Sequence, residues 1–348
     1  MNTIINTGIC SFGMSGKLFH APFVDAHPGY AFKAITERTK NEAATKYPQV
    51  KTYRTIDELI ADKELDLIVV NTPIQTHLDF TKQALEAGKH VVLEKPMVIT
   101  AEEGRELEAL AQKKGLILSI YQNRRYDSDY RIVKEVVERK WLGDIREVQF
   151  AYDRYRPQPG GKVHKEGALP GSGTLYDLGP HLIDQALQLF GQPEALFADI
   201  AMMRDEALSD DYFEIIFFYP KMRVRLKSAI LVREALPAFS LHGNKGSFIK
   251  TRSDVQEKLL LENVVPSMDN WAPSPSSEDG ILHTEINGEV VRKTLPTPVG
   301  NYMEYYDELY KALTGQGPNP VPAAESIRNI EIIELAKKSA EEGRKIFL

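Results

Sequence analysis

Short apolar runs alternate with longer amphipathic stretches through the first third of the chain. Near-continuous aliphatic runs without polar alternation are typical of buried parallel strands. Each run is followed by apolar residues at helical spacing, and several of these stretches end at a glycine. The predicted strands lie near residues 4–10, 31–36, 65–70, 90–94 and 116–120. Strands that alternate with helices predict a doubly wound parallel sheet in an α/β fold.

The pattern changes after about residue 145, where strands lengthen and polar and apolar residues alternate. Arg223 and Arg225 fall on one side of such a strand, while Val224 and Leu226 fall on the other. Asn287-Gly288 stands between two β-rich runs, which is a strong hairpin signal, and residues 243–246 predict a second turn. The second half therefore predicts an α+β domain with a large open, mainly antiparallel sheet, one face of which is covered.

The change of pattern divides the 348 residues into two predicted domains, 1–122 and 123–348. Within the second, residues 266–280 are rich in Pro, Ser and acidic residues and predict a long loop. Trp271 in this loop is either an anchor or a lid over a cleft, and the anchor is favoured. Apolar residues at helical spacing predict a final helix at about 323–342, which we expect to pack back near the first domain.

Composition excludes several classes of protein. The net charge of −6 and pI near 5.8 argue against a nucleic acid or an anionic membrane as the main partner. Cys10 is the only cysteine, so disulfides and cysteine metal clusters are excluded. The N-terminus lacks a secretory pattern, and the apolar runs are shorter than a membrane span. We expect a cytoplasmic globular protein.

A glycine-rich turn separates the first predicted strand from the helix that follows it. Such a turn can lay backbone N–H groups against a pyrophosphate, although a purely structural turn is the alternative. Gly13 and Gly16 match the dinucleotide fingerprint, whereas Ser11 replaces its first glycine. Glu37 and Arg38 follow the second strand about twenty residues later, where a dinucleotide fold places the residue that binds the adenine ribose.

Polar clusters follow three of the parallel strands and should line one edge of the sheet with Gly13. They are Asn71-Thr72, Glu94-Lys95 and Gln122-Asn123-Arg124. Ligands of open α/β sheets bind at this carboxyl edge. Pro96 cannot continue a central strand, so Lys95 should be presented on a stiff turn at a ligand site. An ordinary surface lysine is the alternative interpretation.

The second half contains one further chemical constellation, at residues 171–181. Pro180 is best tolerated in a first helical turn, which predicts a helix from about Asp177 to Phe190. Asp177 and His181 would then share one face at its start. An acid beside a histidine is suited to proton transfer. The alternative is a capping aspartate with a structural histidine. A metal site is not predicted, because no further ligands lie at a suitable spacing.

Taken together, these motifs resemble the Gfo/Idh/MocA family of nicotinamide-dependent oxidoreductases over essentially the whole chain. The resemblance rests on the glycine turn 13–16, on Glu94-Lys95-Pro96 and on Asp177 with His181. Residues 17–22, 121–125 and 173–179 look like the branch that contains NADP-dependent scyllo-inositol dehydrogenases.

The resemblance implies a dinucleotide-binding Rossmann domain at 1–122 and a substrate-binding and oligomerisation domain at 123–348. It implies a homodimer or higher homo-oligomer formed through the second sheet. It also implies that Lys95 touches cofactor and substrate, and that His181 is the acid/base, supported by Asp177. The predicted substrate-binding residues are Lys95, Arg124, Tyr155, Arg156, Asp177 and His181. The predicted cofactor-binding residues are Phe12, Gly13, Met14, Ser15, Glu37, Arg38, Asn71, Thr72, Pro73, His77, Glu94, Lys95 and Gln122.

The implied activity is hydride transfer between NAD(P) and a secondary alcohol of a sugar or inositol-like polyol. A carboxylate at Glu37 would favour the ribose diol of NAD, whereas Arg38 and the branch resemblance favour NADP; the balance leans modestly to NAD. The alternatives are a non-catalytic NAD(P)-binding regulatory or scaffolding protein on the same fold and, within the same family, a redox-assisted glycosidase.

Overall fold

The computed structural model describes residues 3–348, which form two compact units. The first unit comprises the chain up to Asn123 together with Gln256–Trp271 and Asn301–Arg328. The second comprises Arg124–Val255, Ala272–Gly300 and Asn329–Leu348. Each unit has its own β-sheet.

The elements follow in chain order. The strands are β1 (Ile5–Ile9), β2 (Tyr30–Thr36), β3 (Lys51–Tyr53), β4 (Leu67–Val70), β5 (His90–Glu94), β6 (Leu118–Tyr121), β7 (Ile145–Ala151), β8 (Ala195–Ala201), β9 (Tyr212–Tyr219), β10 (Met222–Ala229), β11 (Phe239–Gly243), β12 (Gly246–Lys250), β13 (Gly280–Ile286), β14 (Glu289–Leu295) and β15 (Ile346–Phe347). The α-helices are α1 (Ala21–Ala26), α2 (Glu42–Lys46), α3 (Ile56–Ile60), α4 (His77–Glu86), α5 (Ala101–Lys114), α6 (Ser128–Glu138), α7 (Val163–Glu166), α8 (Thr174–Phe190), α9 (Gln256–Leu261), α10 (Met303–Leu313) and α11 (Ala323–Glu342). A π-helical turn spans Gly16–His20, and 3₁₀ turns span Ile74–Thr76, Asn123–Tyr126 and Ser276–Glu278.

The first unit is built on a six-stranded parallel sheet in the order β3-β2-β1-β4-β5-β6. Strand β4 and residues Val91–Leu93 of β5 are buried throughout, as continuous aliphatic runs in a doubly wound sheet should be. The predicted doubly wound parallel sheet is therefore confirmed. The strand order reverses between β1 and β4, and such a switch point is where these folds bind ligands.

Helix α5 illustrates how local sequence sets the element boundaries in this unit. The Thr100 side chain accepts from the Glu103 backbone N–H, and the Glu103 side chain accepts in return from the Thr100 N–H. This reciprocal pair of bonds is a capping box. Gly115 ends the helix with φ of 67°, a conformation that glycine adopts without the penalty of a side chain.

The second unit is built on a nine-stranded sheet in the order β14-β13-β12-β11-β7-β10-β9-β8-β15. Its strands pair antiparallel except β7 with β10, which confirms a mainly antiparallel sheet. Helix α8 packs against β9 and β10. Val224 and Leu226 are buried, whereas Arg223 and Arg225 are exposed, as the alternation predicts.

Both predicted hairpin turns of the second sheet are present. Asn287 and Gly288 join β13 to β14 with φ values of 53° and 84°, as a type I′ turn requires. Residues 243–246 join β11 to β12.

Within the first unit, Trp271 is held as an anchor would be. Its ring meets Phe23 edge-on at 6.2 Å between centroids, and its Nε1 donates to Asn301 Oδ1 at 2.8 Å.

Helix α8 begins at Thr174, three residues before the predicted start near Asp177, so Pro180 lies in its interior. The reason is Asp210, which the local sequence does not reveal. The Thr174 N–H donates to the Asp210 carbonyl at 2.8 Å, and the Leu175 N–H donates to Asp210 Oδ2 at 2.7 Å. These bonds satisfy amides that a helix start leaves open.

Candidate active site

The glycine turn after β1 is shaped by a close backbone approach. A Cβ on Gly16 would lie 2.0 Å from the Ser11 carbonyl oxygen, so only glycine fits there. Asn71 Nδ2 donates to that same carbonyl at 2.9 Å, and the Gly13 N–H donates to Ser11 Oγ at 3.2 Å. Gly13 and Met14 are exposed. Ser11 therefore braces the turn from within while the tip of the turn stays accessible.

A cavity of about 540 Å³ lies beside this turn, a volume typical of small-molecule sites. Three predicted cofactor-binding residues, Phe12, Gly13 and Met14, line it. Its lining residues are Phe12, Gly13, Met14, Lys17, Leu18, Lys40, Glu42 and Leu261.

Glu37 lies at the end of β2, as its spacing from the glycine turn predicts, but its carboxylate has a structural task. The residue is only 7% exposed. Its two oxygens accept the backbone N–H groups of Glu42 and Ala43, each at 3.0 Å, and so cap the start of α2. Arg54 donates to the Glu37 carbonyl at 2.8 Å. Arg38 is exposed. Contact between Glu37 and a ribose stays a prediction.

Glu94 ties the end of β5 to the glycine turn. Its Oε1 accepts from Ser15 Oγ at 2.5 Å and lies 2.9 Å from His20 Nε2. Burial raises the pKa of Glu94, but the His20 and Ser15 contacts outweigh burial and bring the pKa to about 2. The Lys95 N–H donates to Glu94 Oε2 at 3.1 Å, and the Lys95–Pro96 peptide bond is cis. The carboxylate therefore fixes the backbone that carries Lys95.

His77 joins the loops that follow β4 and β5. Its Nε2 lies 2.8 Å from the Thr72 carbonyl oxygen, and its Nδ1 lies 2.9 Å from that of Pro96. The pKa of His77 is lowered because the ring is buried, although the carbonyl oxygens act in the opposite direction. His77 thus shapes the carboxyl edge of the sheet. Thr72 is half-buried, and Pro73 is exposed on the same loop.

Two buried acceptors at this edge make no hydrogen bond to the part of the protein that the structure describes. They are Asn71 Oδ1, after β4, and Gln122 Oε1, after β6. Buried polar atoms are nearly always satisfied, so such atoms call for a ligand or water. With the cavity and the open glycine turn, they make the first unit a fitting host for a nicotinamide dinucleotide.

In the second unit, Asp177 and His181 share one face of α8, one turn apart. His181 is 5% exposed. Asp177 Oδ1 accepts from Lys165 Nζ at 2.7 Å, and Arg154 approaches Asp177 Oδ2 at 3.7 Å. The sequence pattern predicted that Asp177 and His181 share a helix face. It did not predict the cations beside Asp177, because Lys165 and Arg154 both lie outside the helix.

Arg124 lies in a cluster around Tyr152, another grouping that the sequence did not predict. The guanidinium carbons of Arg124, Arg154 and Arg252 lie 5.7, 4.9 and 4.0 Å from the centroid of the Tyr152 ring. Burial raises the pKa of Tyr152, but the three cations prevail and lower it. Arg124 Nη1 also lies 3.4 Å from Asp127 Oδ2, and burial raises the pKa of Asp127 to about 7. The cluster therefore places three guanidinium cations around one tyrosine ring.

The other two predicted substrate-binding residues are accessible. Tyr155 is 42% exposed, pairs with Leu231 in an isolated bridge, and lies under the Arg233 guanidinium at 4.0 Å. Arg156 is exposed, and its N–H donates to the Ile230 carbonyl at 2.8 Å.

Residues 3–348 contain no group of three or more His, Cys, Asp or Glu side chains that could hold a metal ion. Within the same residues, no helix is both long and apolar enough to cross a membrane.

Comparison with known proteins gives a consistent result for both halves of the chain. Residues 5–122 match the Gfo/Idh/MocA oxidoreductase family model described as an NAD-binding Rossmann fold, and residues 134–348 match its C-terminal alpha/beta domain. The chain is 37% identical to the NADP(+)-dependent scyllo-inositol 2-dehydrogenase IolW of Bacillus subtilis, over 99% of this chain and 96% of that protein. It is 39% identical to the uncharacterised oxidoreductase YdgJ of Escherichia coli, over 98% of both. The crystal structure of an oxidoreductase from Bacillus cereus superposes with a TM-score of 0.90 at 34% identity, covering 99% of this chain and 98% of the other.

Proposed function

The chain belongs to the Gfo/Idh/MocA family of oxidoreductases, and we propose that it transfers a hydride between a secondary alcohol of a sugar or cyclic polyol and NAD or NADP. Similarity to the scyllo-inositol 2-dehydrogenase of B. subtilis supports an inositol-like polyol as the substrate class.

The observation that carries this proposal is the bond between Ser15 and Glu94. Ser15 belongs to the glycine turn that is suited to hold a pyrophosphate, and Glu94 directly precedes Lys95. A single side-chain contact therefore ties the turn that binds the dinucleotide to the strand end that presents the lysine. A lysine held beside a dinucleotide site is suited to catalysis more than to folding.

The protein's part in the reaction is to orient the reactants and to handle one proton. The nicotinamide supplies the hydride chemistry when bound. His181 takes the hydroxyl proton as the alcohol is oxidised, and Asp177 supports the imidazole from the same helix face. The Lys95 ammonium holds the substrate oxygen and stabilises its developing negative charge. Arg124, Tyr155 and Arg156 donate hydrogen bonds to further substrate hydroxyls.

The test is a screen that follows reduced-cofactor absorbance with inositols, aldoses and their keto forms, using NAD and NADP in parallel. We expect turnover with at least one polyol and its loss in Lys95→Met and His181→Asn. Tight dinucleotide binding without turnover of any substrate would instead favour a regulatory or scaffolding protein.

We also propose that the protein works in the cytoplasm as a homodimer or higher homo-oligomer formed through the second sheet. Ile216 on β9 is only partly buried, and on the neighbouring strand β10 Arg223 and Arg225 are exposed. Light scattering should give a mass above one chain, and Ile216→Lys should lower it. A monomeric wild-type protein would contradict this assembly.

A further inference from the structure

Three charged side chains stand together on the wall of the cavity beside the glycine turn. Glu42 Oε1 accepts from Lys40 Nζ at 2.7 Å, and its Oε2 forms a short contact with Lys17 Nζ. All three residues line the cavity. Lys17 follows the glycine turn, whereas Lys40 and Glu42 follow β2. The cavity therefore holds two cations that share one internal anion.

This wall is where a dinucleotide fold places the adenine ribose, because the ribose lies at the end of the second strand. The acid expected to bind the ribose diol, Glu37, has both oxygens on backbone N–H groups of α2. The charged groups that line the cavity are instead Lys17, Lys40 and Glu42. Glu37 therefore gives little reason to expect that the site prefers the ribose diol of NAD.

The charges suit a phosphate better than a hydroxyl group. Hydrogen bonds from Lys17 and Lys40 lower the pKa of Glu42 to about 2, so the carboxylate is ionised at neutral pH. A phosphate monoester carries about two negative charges at that pH and has three acceptor oxygens. Two ammonium groups can each donate to it, but only if the carboxylate leaves them.

We propose that Lys17 and Lys40 recognise the 2′-phosphate of NADP, and that Glu42 is an internal anion which that phosphate must displace. The inference rests on the proposed function as a nicotinamide-dependent oxidoreductase and names the residues that select its cofactor. The three side chains are partly exposed, with 42%, 69% and 41% of the Lys17, Lys40 and Glu42 side-chain surface accessible, so the exchange requires no opening of the core.

The experiment measures binding of two nucleotides that lack nicotinamide, adenosine 2′,5′-bisphosphate and adenosine 5′-monophosphate, by titration calorimetry with the full chain. Lys17→Gln and Lys40→Gln should each weaken binding of the bisphosphate by about tenfold, because each removes a charge-assisted bond to the 2′-phosphate. Binding of the monophosphate, which has no 2′-phosphate, should stay nearly unchanged. Glu42→Gln should tighten binding of the bisphosphate about three- to fivefold, which is the scale of an exposed ion pair. This gain in affinity should shrink at high salt.

Lys33→Gln is the matched control, because Lys33 is exposed on β2, outside the cavity lining, and its loss changes the net charge equally. It should bind both nucleotides as the wild type does. Thermal denaturation confirms that each variant is folded.

Two results would overturn the inference and leave the proposed function intact. Unchanged or weaker bisphosphate binding in Glu42→Gln would show that the carboxylate does not compete. Loss of the bisphosphate preference in Arg38→Gln, with no effect of the lysine changes, would assign selection to Arg38. In both cases dinucleotide binding itself stands. Failure of the wild type to bind either nucleotide would overturn the proposed function as well.

Discussion

His20 Nε2 lies 2.9 Å from Glu94 Oε1, and the other ring nitrogen of His20 lies 2.6 Å from the hydroxyl of Tyr306. The imidazole is fully buried, and the Glu94 side chain is 12% exposed. A buried carboxylate is tolerated only where hydrogen bonds and charge compensate for lost water. His20 is therefore the principal support of the segment that presents Lys95.

Replacing His20 should destabilise the protein strongly. In His20→Leu the buried carboxylate loses its main partner, and removing one member of a buried pair costs about 3–5 kcal/mol. Ser15→Ala, which removes one hydrogen bond to the same oxygen, should cost about 1 kcal/mol. Urea denaturation measures both. Equal stability of the two variants would show that His20 is not the main support.

Glu94 should also make stability depend on pH in the acid range. Its pKa is about 2 in the folded protein and 4.5 when unperturbed. The lowered pKa contributes stability that is fully present above pH 4.5 and is lost as the pH falls towards 2. The difference in unfolding free energy between wild type and Glu94→Gln should therefore be constant near neutral pH and shrink below pH 4.5. A difference that grows on acidification would have the wrong sign for this account.

The sequence predicts which residues end the strands, but not which distant groups meet them. The end of β5 was predicted because Val91–Leu93 is a continuous aliphatic run that stops at polar residues and a proline. The bond from His20 to Glu94 spans 74 positions, so no local pattern contains it. The spacing likewise placed Glu37 at the end of β2, while its orientation depends on the amides of α2.

The predicted start of α8 was wrong for the same reason. The preference of proline for a first helical turn is a local rule, and it favoured a start near Asp177. The bonds from Asp210 begin the helix at Thr174 instead. Tertiary contacts that satisfy a helix start override a local preference, whereas hairpins such as Asn287-Gly288 are fixed by their own backbone angles and were predictable.

Glu37 offers a direct test of structural against cofactor-binding roles. Glu37→Ala removes the cap of α2 and should cost about 1–2 kcal/mol of stability. Because its oxygens already bond to backbone N–H groups, affinities for NAD and NADP should change by similar factors, measured by fluorescence titration. Glu37→Gln, which keeps an acceptor oxygen, should recover part of the stability. Selective loss of NAD binding would restore the role predicted from the sequence.

Lys95 should matter to chemistry more than to folding. It is half-buried at the end of β5, so Lys95→Met should change the melting temperature little. If it stabilises the developing oxyanion, its loss should reduce kcat by about 10²–10³, the scale for one lost donor. Lys82→Met, at an exposed helix position, is the control. Turnover near the wild-type rate in Lys95→Met would remove the lysine from the mechanism.

His181 gives the sharpest test of the proposed chemistry. Oxidation requires a neutral imidazole to accept the alcohol proton, and histidine titrates near neutral pH, so the rate of hydride transfer should fall on the acid side of the pH profile. His181→Asn should flatten that acid limb and lower the rate by about 10²–10⁴, the scale of general acid–base catalysis. Dinucleotide affinity should stay nearly unchanged, because the cavity and glycine turn belong to the other unit. The measurement must be a pre-steady-state one, since product release can mask the chemical step.

His283→Asn, which changes an exposed histidine on β13, is the control and should keep the wild-type pH profile. If hydride transfer in His181→Asn stays within about threefold of wild type, well under that scale, His181 is a structural residue of α8 and the base must be sought elsewhere.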